Sequence, residues 1–289
     1  MNTILVPSDL SKNATTALRY AIRLSGIMKA RLVVFHCANI RPYVFAAAAA
    51  SEEQVTLLLK EEESFKRKKL QSQVSKAYKY LGIKKIPATT KIIVETNPIV
   101  VDNILAVAEK EHTGLIVSGT HGATGLNRFF FGSNTANLIC KSTIPVLAIP
   151  GKYKFTRVKD IVLSSDLENI GEELSRLIPI AKTLKVNIDV LYMDYGVDTK
   201  QVHIKNARAS IIKSGYQKMK LVTKPASIEY SLIRQVRKYL ANHNHQWLVM
   251  FTKERGFWDK IFYGGKTEYM SYSLKIPLLS FKKDIPGVN

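Results

Sequence analysis

The residues best able to do chemistry sit together at 119–133, GTHGATGLNRFFFGS. Gly119, Gly122, Gly132 and Ser133 are spaced G-x2-G-x9-G-S. The apolar run Leu115-Ile116-Val117 precedes them, and a helix-like run from Asn134 to Ile139 follows. A strand, a glycine-rich loop and a helix start form an arrangement that binds phosphate. Main-chain N–H groups crowd an anion only where no Cβ intervenes, and a helix N-terminus adds a favourable field. The spacing fits neither the P-loop pattern G-x4-G-K-[ST] nor the dinucleotide pattern G-x-G-x-x-G.

Such a loop works only if elements hold it against a partner. In the first half, short β-rich runs lie at Ile4–Val6, Leu32–Phe35, Lys91–Val94, Leu115–Val117 and Val146–Ile149. Helical patterns fill the gaps at Thr15–Met28, Ser51–Leu81, Val101–Glu111 and Asn134–Lys141. On the second of these, Val55, Leu58, Leu59, Phe65, Val74, Tyr78 and Leu81 fall near one stripe, and Glu62→Lys66 and Glu63→Arg67 suit i,i+4 pairing. Apolar strands alternating with helices predict a parallel sheet covered on both faces, a five-stranded doubly wound unit. Ligands of such sheets sit beyond the carboxyl ends of the strands, at the switch point. The first strand ends at Pro7-Ser8-Asp9 and the fourth at Gly119. If those strands are neighbours, Asp9 faces the glycine loop. It could then accept from a ribose hydroxyl or help hold Mg2+ (or Mn2+), itself held mainly by phosphates. Ser133 and Thr135 can donate hydroxyls to phosphate beside the N–H groups of Gly132, Ser133 and Asn134. His36, at a strand end, and His121, in the loop, are within reach of a ligand. Neither has an evident Ser or Cys nucleophile partner, and no general base stands out. No catalytic residue is assigned.

The chain then repeats its plan. Ile161–Leu167 (IVLSSDL) matches Ile4–Leu10 (ILVPSDL), with Ser164 for Pro7 and Asp166 for Asp9. Ile188–Tyr192 matches the second strand, Trp247–Met250 the fourth and Ile276–Phe281 the segment Ile144–Ile149. From the fourth strand onward the halves align without a gap. The reading is two domains, 1–150 and 151–289, joined at the turn-prone stretch Pro150–Phe155. The second loop is degenerate: Phe251 replaces Gly119 and Glu254 replaces Gly122, while Gly264 and Thr267 remain. A glutamate beside an anion costs roughly 1 kcal/mol at ~4 Å even in bulk water. The second domain is therefore not expected to bind phosphate in this mode. His243 and His245 form an H-x-H read as a polar helix-to-strand loop, not a metal site.

The bulk numbers set bounds. A 46% hydrophobic and 23% charged chain is ordinary for a globular protein. Cys37 and Cys140 lie in apolar runs and read as buried thiols of a reducing compartment. With no run near the ~20 apolar residues of a membrane span and no leader pattern, the expected location is the cytoplasm. The net charge of +20 is unusual. Residues 1–150 hold 19 basic and 10 acidic side chains, the remainder 24 and 13, so the excess is no tail. It suits anionic ligands and leaves nucleic acid as a secondary reading. The runs at Lys66–Lys69 and Lys84-Lys85 lack interleaved aromatics in sequence.

The N-terminal ILVPSDLS, the segment from Ser118 through Gly119, Gly122, Gly132 and Ser133, and the closing Pro145–Ile149 together resemble the universal stress protein family. The resemblance covers nearly the whole chain, as a tandem two-domain member. It implies two Rossmann-like domains, with ATP bound in the first. By position it implies Pro7, Ser8 and Asp9 on the nucleoside side and the backbone of Cys37 at the adenine. Gly119, His121, Gly122, Gly132, Ser133, Asn134 and Thr135 would surround the phosphates. It also implies pairing of domains through the last strand, within the chain or in a homodimer. The functional expectation is a stress-response regulator with ATP as conformational ligand. The alternatives are a slow ATPase and a basic scaffold for nucleic acid or a protein partner.

Overall fold

A computed structural model describes residues 2–38, 51–120, 133–196, 201–252 and 275–283. The chain divides into two compact units, 1–154 and 155–289. The N-terminal unit runs β1 (Thr3–Pro7), α1 (Lys12–Met28), β2 (Arg31–Ala38), α2 (Glu52–Tyr80), β3 (Thr90–Thr96), α3 (Val100–Lys110), β4 (Leu115–Gly119), α4 (Ser133–Lys141) and β5 (Val146–Ile149). All its strand pairs are parallel, in the order β3-β2-β1-β4-β5. The predicted doubly wound sheet is therefore present. Strand order reverses between β1 and β4, where Ile4 pairs with Leu115 and Leu5 with Ile116. The condition that would bring Asp9 to the end of β4 is met.

Burial explains the pattern. Ile4–Val6, Leu115–Val117 and Val146–Ile149 are fully buried, since helices cover central parallel strands on both faces. On edge strand β3 only Val94 is buried. α1 packs on β1, β4 and α2, whereas α3 packs on β2 and α4. Ser11 caps α1 by accepting from Ala14 N–H, and Ser51 with Gln54 forms a capping box on α2. The stripe predicted on α2 is buried only in its second half. Leu70, Val74, Ala77 and Tyr78 are buried, whereas Leu58 and Phe65 are exposed. Lys66 pairs with Glu62 at 3.2 Å as expected. The second predicted pair does not form. Glu63 instead accepts from the main-chain N–H and hydroxyl of Thr96, and Arg67 donates to the Ile92 carbonyl. Strand β3 lies within reach of both side chains and offers main-chain groups that a helix-only argument overlooks.

The C-terminal unit repeats the design with β6 (Asp160–Ser164), α5 (Ile170–Leu184), β7 (Asn187–Asp194), α6 (Gln201–Lys213), β8 (Met219–Pro225), α7 (Leu232–Ala241), β9 (Trp247–Thr252) and β10 (Leu278–Lys282). Its strands are parallel in the order β8-β7-β6-β9-β10. Among the described residues no helix is long and apolar enough to cross a membrane.

Candidate functional site

The β1–α1 turn forms one wall of the candidate site. Ser8 N–H donates to the Phe35 carbonyl at 2.8 Å, which ties the end of β1 to β2. Leu10 then takes a positive φ of 66°, and its N–H donates to Ser8 Oγ. Asp9 Oδ1 accepts from Ser11 N–H at 3.0 Å, so the exposed carboxylate is held by its own turn. Gln73, from α2, clasps this turn from the side. Its Oε1 accepts from Ser8 Oγ at 2.7 Å, and its Nε2 donates to Thr15 Oγ1 at 2.8 Å and to the Ser11 carbonyl. His36 Nδ1 lies 2.7 Å from the Ser8 carbonyl, which can only accept, so Nδ1 carries the proton. Burial holds the His36 pKa below the usual histidine value, and its Nε2 is buried without a partner among the described residues. Sequence reasoning missed Gln73. A single polar residue on a helix beside its buried stripe carries no periodic signal.

The other wall is the end of β4. Thr120 N–H donates to the Ile149 carbonyl. Gly119 is glycine for a reason the sequence did not suggest: an added Cβ would lie 2.9 Å from the Asn13 carbonyl oxygen and 3.1 Å from its carbon. That space belongs to the backbone of α1. Thr135 is buried, and its hydroxyl donates to the Gly119 carbonyl at 2.7 Å and lies 2.9 Å from Ser118 Oγ. It fastens α4 to the strand end, so what it offers a ligand is its main chain. Ser133 and Asn134 are exposed in the first turn of α4, where the N–H groups have no intrahelical acceptor. A cavity of about 310 Å3 adjoins this turn, lined by Pro98, Ile99, Val101, Asn134, Asn137 and Lys141. His121, Gly122, Arg128 and Gly132 lie outside the described residues.

Cys37 is half-buried near the end of β2, paired in register with Glu95. Its Sγ lies 3.5 Å from the Asn97 carbonyl and accepts from Asn103 Nδ2 at 3.6 Å. Burial pushes the thiol pKa up, so the side chain is poorly suited to nucleophilic work.

The C-terminal unit holds the same turn with different chemistry. Leu167 has φ 65°, Leu167 N–H donates to Ser165 Oγ, and Glu168 N–H donates to Asp166 Oδ1. Here, however, the Lys283 ammonium sits 2.9 Å from both Asp166 oxygens and 3.1 Å from Glu173 Oε1. Lys283 occupies the place of Gly151 in the first copy. Glu173, not a glutamine, takes the Ser165 hydroxyl at 2.6 Å. Phe251, aligned with Gly119, lies in the core. Its ring is buried and stacks on Phe281 at 4.4 Å and 2°. These residues pair in register on β9 and β10, so burial turns the ring onto its neighbour. Glu254, Gly264 and Thr267 lie outside the described residues.

Both histidines of the H-x-H loop are engaged within the fold, although His245 Nδ1 is buried with no partner among the described residues. His243 Nδ1 bonds the Tyr239 carbonyl at 2.7 Å and its ring stacks on Tyr239, while His245 Nε2 lies 3.0 Å from Asp189 Oδ2. Tyr239 also donates to Asp189 at 3.0 Å. A cavity of about 400 Å3 beside these groups lies at the amino ends of β7 and β8, away from the strand ends that carry ligands in such sheets. Among the described residues no three His, Cys, Asp or Glu side chains converge as metal ligands.

Two doubly wound units, each with a Ser-Asp-Leu turn closing its first strand, define a tandem α/β protein. The model of the universal stress protein family matches residues 1–150, and the chain belongs to that family. A universal stress protein of Methanocaldococcus jannaschii is 28% identical over 159 residues, covering 52% of this chain and 94% of that protein. Among solved structures, a universal stress protein of Archaeoglobus fulgidus aligns with TM-score 0.68 and 15% identity, over 98% of this chain and 99% of that one. A Pseudomonas aeruginosa chain aligns with TM-score 0.58 and 15% identity, over 98% and 93%. At this identity the two structures speak to the fold alone.

Proposed function

We propose that this chain is an ATP-binding stress-response regulator that takes one nucleotide, in a domain spanning 1–150. The second domain, 151–289, lacks this activity. The observation that supports this reading best is the meeting of two features at the β1/β4 switch point. One is the exposed Asp9 turn, and the other is the exposed first turn of α4 beyond Gly119. Pro7, Ser8 and Asp9 form the nucleoside side, with the main chain of Cys37 toward the base. The N–H groups of Gly132, Ser133, Asn134 and Thr135, with the loop residues Gly119, His121 and Gly122, receive the phosphates. Asp9 fits a phosphate-bound Mg2+, because it supplies a hard oxygen from an exposed carboxylate whose other oxygen is fixed by Ser11. The metal would neutralise phosphate charge. In the second copy Asp166 is already neutralised by Lys283, so the equivalent oxygen is engaged within the fold.

The test is to denature the purified protein and identify the released nucleotide, then measure Mg-ATP binding to the emptied chain. Failure to find nucleotide, together with no binding at millimolar Mg-ATP, would end the proposal. Gly122→Glu copies the second domain's own residue and is expected to abolish binding. Unchanged affinity would reject this placement of the phosphates. ATP turnover lost in Asp9→Ala would move the reading from ligand to substrate.

A further inference from the structure

The net charge has a local concentration that the nucleotide site does not use. Between Ser64 and Val94 there are nine Lys or Arg and no Asp or Glu. Three of the nine are engaged: Lys66 with Glu62, Arg67 with the Ile92 carbonyl, and Lys91 with Glu111. The other six are Lys68, Lys69, Lys76, Lys79, Lys84 and Lys85. All are exposed, and none has a carboxylate partner among the described residues. The placement of the four that lie on α2 is not random. At about 100° per residue, Lys68, Lys69, Lys76 and Lys79 fall within roughly one third of the helix circumference. That sector lies opposite the buried residues Leu70, Val74 and Ala77. Ser72 and Ser75, small and exposed, lie between them.

Two aromatic rings adjoin this stripe, although no aromatic interrupts the basic runs in sequence. Phe65 is 51% exposed, with the Lys69 ammonium 4.2 Å from its ring centre. Tyr80 is 69% exposed and carries the Arg19 guanidinium of α1 at 3.7 Å over its ring. From Phe65 to Tyr80 the helix rises ~22 Å. Cations that follow a backbone, with exposed rings at either end, are what a flexible polyanion with stackable bases requires. We infer that this face of α2 is a docking surface for single-stranded nucleic acid. Four ammonium groups on α2, with Lys84 and Lys85 just beyond its end, have no carboxylate partner among the described residues and attract phosphates, and Phe65 and Tyr80 give bases something to stack on. The serines leave the strand room to approach. A rigid duplex would reach the ammonium groups but could not stack on the rings.

The experiment measures anisotropy of a labelled oligothymidylate of about twenty nucleotides with the full chain, across a salt series. Binding is expected to weaken with salt. The substitutions Lys68→Gln, Lys69→Gln, Lys76→Gln and Lys79→Gln together are expected to lower the log–log slope by about 2.8, from ~0.7 per phosphate contact. Phe65→Ala with Tyr80→Ala is expected to weaken binding about tenfold or more at unchanged slope, the signature of stacking. Thermal unfolding confirms that both variants are folded, which is expected because every substituted side chain is exposed. Mg-ATP binding is expected to be unaltered, because among the described residues none of the substituted side chains bonds the Asp9 turn or the first turn of α4. The inference falls if no binding appears at low salt, or if the quadruple variant binds as the parent does. It also falls if a duplex of equal length competes as well as the single strand, or if vesicles rich in phosphatidylserine bind while the oligonucleotide does not.

Discussion

At the scale of single residues, two positions separate the roles of shape and charge. Gly119 belongs to the G-x2-G-x9-G-S pattern, yet its missing Cβ makes room for the Asn13 carbonyl rather than for a ligand. Gly119→Ala is therefore expected to destabilise the N-terminal unit by about 1–3 kcal/mol, because the opposing atom is backbone and cannot swing aside. A urea titration of the apo protein checks this. An apo stability equal to the parent's, with only nucleotide binding lost, would return Gly119 to the phosphates. Lys283 is the converse case, a charge that replaces a glycine of the first copy. It is buried between Asp166 and the buried Glu173. Burial raises the Glu173 pKa, and the Lys283 ammonium opposes that rise. A raised carboxyl pKa means that the native state holds its proton longer than the unfolded chain, so stability is lost as pH climbs through the folded pKa. Lys283→Met removes the opposing charge. Its deficit is expected to be small near pH 4 and to grow to about 3 kcal/mol toward neutrality. Unfolding free energies of parent and variant across that range decide it, and a deficit independent of pH would show that Glu173 does not depend on Lys283.

At the scale of elements, the same turn is clasped by different means in the two units. Gln73 reaches from α2 in the first, and Glu173 from α5 in the second. Gln73→Leu would strip Ser8 Oγ and Thr15 Oγ1 of a partner. It is expected to cost about 1–3 kcal/mol and to weaken nucleotide binding through a loosened Asp9 turn. Parallel denaturation and binding measurements test it, and full binding would show that the turn holds itself through Ser8, Leu10 and Ser11. The contrast marks what the sequence could reveal. The strands were legible because central parallel strands must be apolar throughout, and Ile4–Val6 and Leu115–Val117 are. The repeat was legible because Ser-Asp-Leu closes the first strand twice. The Gln73 clasp was not, since one glutamine at the margin of a buried stripe looks like any solvated side chain. The hydroxyl of Thr135 was misdirected for a related reason. A threonine near a glycine loop suggests phosphate, and only the fold shows that the Gly119 carbonyl lies 2.7 Å away. The exposed first half of α2 also escaped the stripe argument, because Leu58 and Phe65 keep helical spacing whether or not anything covers them.

At the scale of the whole molecule, the two copies share a backbone plan and differ in what faces the strand ends. In the first copy Asp9 is exposed and bonded only to its own turn among the described residues. In the second, the corresponding carboxylate is closed by a buried ammonium, and the residue aligned with Gly119 is a phenylalanine stacked into the core. A chain of net charge +20 attracts ATP over its whole surface, so retention of nucleotide alone does not count sites. Salt separates the two contributions, since surface attraction is screened beyond about 8 Å at physiological ionic strength while a built site is not. Equilibrium dialysis against Mg-ATP at low and at physiological salt is expected to converge on one nucleotide per chain, and on none for Gly122→Glu. At one hundred times the dissociation constant, that single site would add about 2.7 kcal/mol to the stability of the N-terminal unit. Two nucleotides per chain surviving at physiological salt would mean that the Lys283–Asp166 pair opens to admit a ligand, and the asymmetry between the copies would then have to be regulatory rather than permanent.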